Sequence, residues 1–189
     1  KANHAGTTPM STRRDALVSA SKLVLAVQKM AAEQEMCRVS TVGSIKAVPN
    51  AVNVIPGSAS IGLEFRDTDM EALAAAEQEL RRITDQASAD DEVDIEVIRH
   101  RFTTSVPITP DMQALVAEAA ENCGFEWEPL ASGAGHDAQA VANIAPVAMI
   151  FVPSLDGISH SKEEYSTPQD CANGAQVLLE LLLLADDHF

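Results

Sequence analysis

Apolar residues recur at Leu17, Ala20, Val24, Val27 and Ala31, one face at helical spacing. The preceding TRRD, Thr12 to Asp15, reads as a capping-box variant that opens this helix. CRVSTVGSIKA then reads as a strand, and PNAVNVIPG as a connection rich in Pro, Asn and Gly. SASIGLEFR alternates cleanly, with Ala59, Ile61, Leu63 and Phe65 on one face. Arg66 therefore falls on the other face, where a charge meets solvent or a ligand. TDME, Thr68 to Glu71, predicts a second cap, and its helix carries Leu73, Ala76, Leu80, Ile83 and Ala87. EVDIEVIRHRF alternates again through Val93, Ile95 and Val97. With an opening strand at KANHAG the order is β-α-β-β-α-β. It predicts a ferredoxin-like domain over residues 1 to about 105, a four-stranded antiparallel sheet covered by two helices.

SVPITPDM reads as a linker and a new helix start, with Thr109 as cap and Pro110 in the first helical position. A helix over 111–122 follows, then a short helix from His136, a continuous apolar strand VAMIFV, a glycine-led loop GISHSKEEYS, and a last helix capped by Thr167. A strand apolar on both sides suits the interior of a parallel sheet covered on both faces. The last helix, with Val177 to Leu179 and Leu181 to Leu184, is apolar nearly all round and needs more covering than residues 106–189 supply. The second half is therefore expected to be an incomplete part of an α/β domain.

Charge narrows the partners. Thirteen basic residues against 28 acidic ones give −15, which disfavours nucleic acid and anionic membranes. Cys37, Cys123 and Cys171 are odd in number and far apart, without a CxxC. Neither a zinc ribbon nor a disulfide framework is signalled, and reduced, cytoplasmic cysteines are expected. No basic-then-apolar leader is visible. The longest apolar run, interrupted by Glu180, is short of the ~20 residues of a membrane span. The opening KANHAG, without Met, leads us to expect a fragment of a longer chain.

Candidate chemistry is sparse on spacing alone. The five histidines form no HxxH, HExxH or HxD, so His160 could face a metal, a substrate or water. His4, in the small-residue turn NHAGTTP, is equally open. GAGHDA fits a dinucleotide fingerprint with Asp156 about 20 residues on, but FEWEPLAS contains Pro129 and makes a poor buried strand. The bland alternative is a glycine turn that brings backbone N–H groups close to an anion. Ser132 lacks a GxSxG, having Leu130 two residues before it. Arg66 suits bidentate carboxylate binding or, more commonly, a surface ion pair.

Four ordered segments, ANHAGTTPM, PNAVNVIPG followed by EFRD, SGAGHDA, and FVPSLDGISHSKEE, resemble the hydantoinase/carbamoylase branch of the M20 metallopeptidase-like amidohydrolases. The resemblance runs over the whole chain. It implies a lid or dimerisation domain at 1–105 and the C-terminal part of a two-metal catalytic domain at 106–189. It implies His160 as a metal ligand, His4 as the lid histidine reaching the scissile carbonyl, often in the partner subunit's site, Asn53 as a polar substrate contact and Arg66 as the carboxylate clamp. Gly133, Ala134, Gly135 and His136 resemble the loop lining the pocket floor. Two divalent ions, Zn²⁺ or Mn²⁺, a small ureido-acid substrate and a homodimer through residues 1–105 are implied with them. The remaining metal ligands and the general-base Glu of the family are not in these residues, and Glu64 stands where many relatives carry Asp. The chain alone is thus expected to be inactive. A non-catalytic dimerisation or small-carboxylate-binding module is the alternative.

Overall fold

A computed structural model describes residues 1–188. The chain runs through β1 (Asn3–His4), a 3-10 turn at Met10–Thr12, α1 (Ala16–Ala32), β2 (Val39–Val48), β3 (Val54–Ile55), β4 (Ser58–Arg66), α2 (Met70–Asp91), α3 (Pro110–Asn122), α4 (Ala138–Val141) and α5 (Pro168–His188). It divides into two compact units, Lys1–Ser105 and Val106–Phe189. The class is mixed α/β.

In the first unit β2 and β4 form the longest ladder, antiparallel, with Ser40 opposite Phe65 and Val42 opposite Leu63. The register then shifts between Val42 and Ser44, so that Ile45 meets Ile61 and Ala47 meets Ala59. The extra residue keeps one face apolar although the sequence parity changes across it. Beside this bulge a Cβ on Gly62 would lie 2.6 Å from Ser44 Oγ, so a side chain there requires the serine hydroxyl to turn away. One helix face, Ala20, Leu23, Val27 and Met30, buries α1, and Ala76, Leu80 and Thr84 bury α2. Met30, Cys37 and Ala76 join Phe65 and Ile83 in the core.

The helix starts differ from the sequence expectation by a residue or more. Asp15, not Thr12, caps α1, its carboxylate accepting from the N–H groups of Leu17 and Val18. Asp69, not Thr68, caps α2 in the same way. A carboxylate adds a full negative charge at the positive end of the helix, which a hydroxyl does not. Thr12 Oγ1 instead donates to Pro9 O, 3.0 Å, within the 3-10 turn.

The ferredoxin-like four-stranded sheet is not what the described residues form. They make two two-stranded antiparallel sheets, β1 with β3 and β2 with β4. Residues 92–102 carry no ladder and run back along α2. Ser88 Oγ donates to Val93 O at 2.6 Å, Arg99 pairs with Glu77, and the Ser105 N–H meets Met70 Sδ. Val93, Ile95 and Val97 are half-buried, so the side-chain alternation survives without a strand. A ladder needs a neighbouring edge, and β1 offers two residues, both paired with β3.

In the second unit α3 and α5 pack Leu115, Ala119 and Ala120 against Val177 and Leu181. Asn122 Nδ2 donates to Glu180 Oε1 at 2.9 Å across that contact. Thr109 precedes Pro110 as expected, without a side-chain cap bond. The apolar run 147–152 is not a strand: this unit has no strand among the described residues, and Ile150 serves the helix–helix core instead. Leu178, Leu179, Leu182 and Leu183 remain about half exposed or more. Among the described residues no helix is long and apolar enough to cross a membrane.

Asp91 ties the end of α2 to α1, accepting from buried Ser19 Oγ at 2.7 Å and from Lys22 Nζ. The Lys22 bond first, then Ser19, hold its carboxyl below the usual range. Asp91→Ala removes the short bond of the buried Ser19 hydroxyl, leaving it only the 3.5 Å contact to Asp15 O, and should cost about 1–3 kcal/mol in urea unfolding at pH 7. A carboxylate with a depressed folded pKa stabilises above its unfolded pKa and loses that contribution as pH falls through the folded value. The difference between wild type and variant should therefore shrink below about pH 4.

Candidate functional site

β1 and β3 pair His4 with Val54 and Asn3 with Ile55, and the Ala5 N–H donates to Asn53 O at 2.9 Å. The β1–β3 pair thus makes a ledge whose backbone brings two exposed candidates distant in sequence, His4 and Asn53, to neighbouring positions. The main chain at His4 is held on both sides. Its N–H donates to Asn3 Oδ1 at 2.8 Å, and its carbonyl accepts from the Thr8 N–H at 3.2 Å and Thr8 Oγ1 at 2.7 Å.

Arg66 is not part of that ledge. It ends β4, eight residues and roughly 26 Å of strand rise beyond Ser58. It lies on the exposed face, as the alternation requires. Glu64, two residues back on the same face, takes it in a fork: Nε donates to Oε1 and the terminal nitrogen to Oε2, both at 3.0 Å. The chain just beyond is fixed by Asp67, a residue the sequence reading passed over. Its carboxylate accepts from the N–H groups of Asp69, 2.9 Å, and Arg38, 2.7 Å. Those bonds, the one from Asp69 foremost, hold its carboxyl below the usual range.

In the second unit the SGAGH turn is organised by Ser132. Its Oγ accepts from the Ala134 N–H at 3.2 Å and lies 3.0 Å from His136 Nε2. The His136 ring meets Phe151 edge-on, centroids 5.8 Å apart. No strand precedes Gly133 and α4 has four residues, so the dinucleotide reading fails for want of a βαβ frame.

His160 sits at the tip of a loop whose ends are tied together. The Leu155 N–H donates to Tyr165 O at 2.8 Å, and Ser166 Oγ to Pro153 O at 2.8 Å. The His160 N–H donates to Glu164 Oε2 at 2.7 Å, and its φ of 58° lies in the left-handed region. A side chain held there costs about 1 kcal/mol or more, a cost that often marks a functional position. Among the described residues no three His, Cys, Asp or Glu side chains converge to hold a metal ion.

The family model for peptidase family M20/M25/M40 matches residues 5–184. The chain belongs to the M20 family. Among curated relatives it is 35% identical over 184 residues to an allantoate amidohydrolase of Escherichia coli, 96% of this chain and 44% of that enzyme. It is 33% identical over 186 residues to an N-carbamoyl-L-amino-acid amidohydrolase of Paenarthrobacter aurescens, 98% of this chain and 45% of that one. A crystal structure of a hydantoinase/carbamoylase family amidase from Burkholderia vietnamiensis superposes with a TM-score of 0.88 at 36% identity, over 97% of this chain and 44% of that one. This M20 chain lies in the hydantoinase/carbamoylase branch. It spans less than half the length of these relatives, and the M20 family is metal-dependent.

The left-handed backbone at His160 gives a direct test. His160→Gly should relieve strain and raise the urea-unfolding free energy of the second unit by about 0.5–1 kcal/mol. A loss of similar size would mean that ring contacts, not the backbone, set the loop.

Proposed function

We propose that the chain is the C-terminal portion of a metal-dependent amidohydrolase that cleaves the ureido C–N bond of N-carbamoyl amino acids or allantoate-like ureido acids. The observation that carries this reading is the β1–β3 pairing, which sets His4 opposite Val54 and joins the Ala5 N–H to Asn53 O, in a chain of the hydantoinase/carbamoylase branch. Residues 1–105 act as the lid and dimerisation domain, and residues 106–189 belong to the catalytic domain.

The roles follow from the side chains. His4 donates to the oxygen of the scissile carbonyl as negative charge develops there. Asn53 supplies a polar contact beside it, and Arg66 receives the substrate carboxylate in the fork that Glu64 now occupies. The length of β4 separates Arg66 from the His4 ledge within one lid. That separation supports a homodimer in which the two groups of one lid serve different active sites. Gly133 to His136 line the pocket floor. His160 supplies one ligand to a metal centre whose other ligands lie outside this chain; when bound, such a centre polarises the carbonyl and supplies the attacking water.

Two variants in the native polypeptide that carries this chain test the roles. Arg66→Ala should raise KM for N-carbamoyl amino acids about 10–100-fold with a smaller change in kcat, since a charge-assisted pair is worth about 1.5–3 kcal/mol. His4→Ala should lower kcat about 100-fold or more with little change in KM. Unchanged kcat/KM in either variant removes that residue from the mechanism. The exposed Arg66 at the end of β4 suits one further reading, a small-carboxylate-binding module without turnover. Calorimetric binding of a carbamoyl amino acid that is indifferent to Zn²⁺ or Mn²⁺ would decide for it.

A further inference from the structure

Which ring nitrogen of His4 carries the proton decides whether that side chain can donate to a substrate. The backbone N–H of Gly6 donates to His4 Nδ1 at 3.0 Å. A backbone N–H has no acceptor role, so Nδ1 is the bare nitrogen of the neutral ring and Nε2 carries the hydrogen. The fit is close. A Cβ built on Gly6 would lie 3.2 Å from His4 Cε1 and 3.5 Å from Nδ1, so a larger residue requires the ring to give by a few tenths of an ångström.

Gly6 is held in turn by Arg13, at the end of the 3-10 turn. Its guanidinium spans the loop, donating to Ala5 O through one terminal nitrogen, and to Thr8 O through that nitrogen at 3.0 Å and through Nε at 3.1 Å. These carbonyls bracket Gly6 and Thr7. Arg13 is half-buried, unlike the exposed Arg14 beside it. Its planar set of donors satisfies both carbonyls from one fixed position, which a lysine ammonium on a flexible stem does less well.

We propose that Arg13 is a positioning residue which, through Gly6, locks His4 as the Nε2–H tautomer, so that its one ring N–H is presented outward as a donor. The consequence for turnover rests on the proposed ureido-hydrolase reading, whereas the tautomer rests on the geometry of residues 4–13.

The test is nuclear magnetic resonance of the ¹⁵N-labelled protein at a pH where the ring is neutral, with His4 assigned through His4→Gln. The expected result is a protonated Nε2 and a through-hydrogen-bond ¹⁵N–¹⁵N coupling between the Gly6 amide and His4 Nδ1. That coupling should be lost in Arg13→Ala and reduced in Gly6→Ala, which keeps Arg13, while Arg13→Lys restores part of it. In the native enzyme Arg13→Ala should lower kcat about tenfold with KM changed less than about twofold, the pattern of a misplaced group. An Nδ1–H ring in the wild-type protein overturns the proposal, as does an unchanged coupling in both Arg13→Ala and Gly6→Ala. A native enzyme inert towards ureido acids overturns the functional reading instead, and the coupling still decides the inference.

Discussion

Backbone pairing is the constraint from which the first unit is built. β2 and β4 satisfy each other's N–H and C=O groups over nine positions of register, and the face they present is what α1 and α2 cover. The bulge between Val42 and Ser44 matters because it lets that ladder keep one apolar face from Ser40 to Ala47. Where no partner edge is present, hydrophobic side chains alone do not make a strand. Residues 92–102 lie along α2 and Ile150 of the run 147–152 packs on the α3–α5 core, both segments without a ladder. Buried area drives the packing, but the ladder decides which segments become sheet.

The same distinction explains what could be read from the sequence. Helical spacing located α1 and α2 because each buries one stripe, and that stripe is written in the order of residues; α3 and α5 were marked by a Thr-Pro start instead. Alternation at Val93, Ile95 and Val97 reported the side-chain environment faithfully and the ladder falsely, since pairing depends on a neighbour that the pattern does not name. The caps went astray by choosing Thr12 and Thr68 where an aspartate stood closer to the helix. Arg66 on the outer face followed from parity. The meeting of His4 with Asn53 did not, because it is made by two short strands brought together from distant parts of the chain. Ser132 beside His136 and Asp67 beside Arg66 belong to the same class: their importance is a hydrogen bond, visible only when the turn is folded.

Membership of the M20 family and the geometry of each unit bear on function in different ways. The family fixes the kind of chemistry to consider. The geometry shows where this chain holds the groups proposed to act: His4 and Asn53 on the β1–β3 pair, Arg66 at the far end of β4, and His160 at the tip of a tied loop. Hydrogen bonds rather than burial hold these pieces, as befits groups that must stay exposed to meet a ligand.

The fork between Arg66 and Glu64 gives the proposed clamp an unusual thermodynamic form. A ligand carboxylate arriving there would have to compete with the tethered carboxylate of Glu64, present at a high effective concentration, for a guanidinium that is itself about half exposed. Docking on Arg66 then becomes an exchange of anions, and the net charge of the strand end changes by what the newcomer carries. An acid that engages both nitrogens can replace the glutamate bond for bond, whereas one that reaches a single nitrogen gives up half of what it displaces. On the proposed clamp role, the resting strand end would itself discriminate against incomplete ligands.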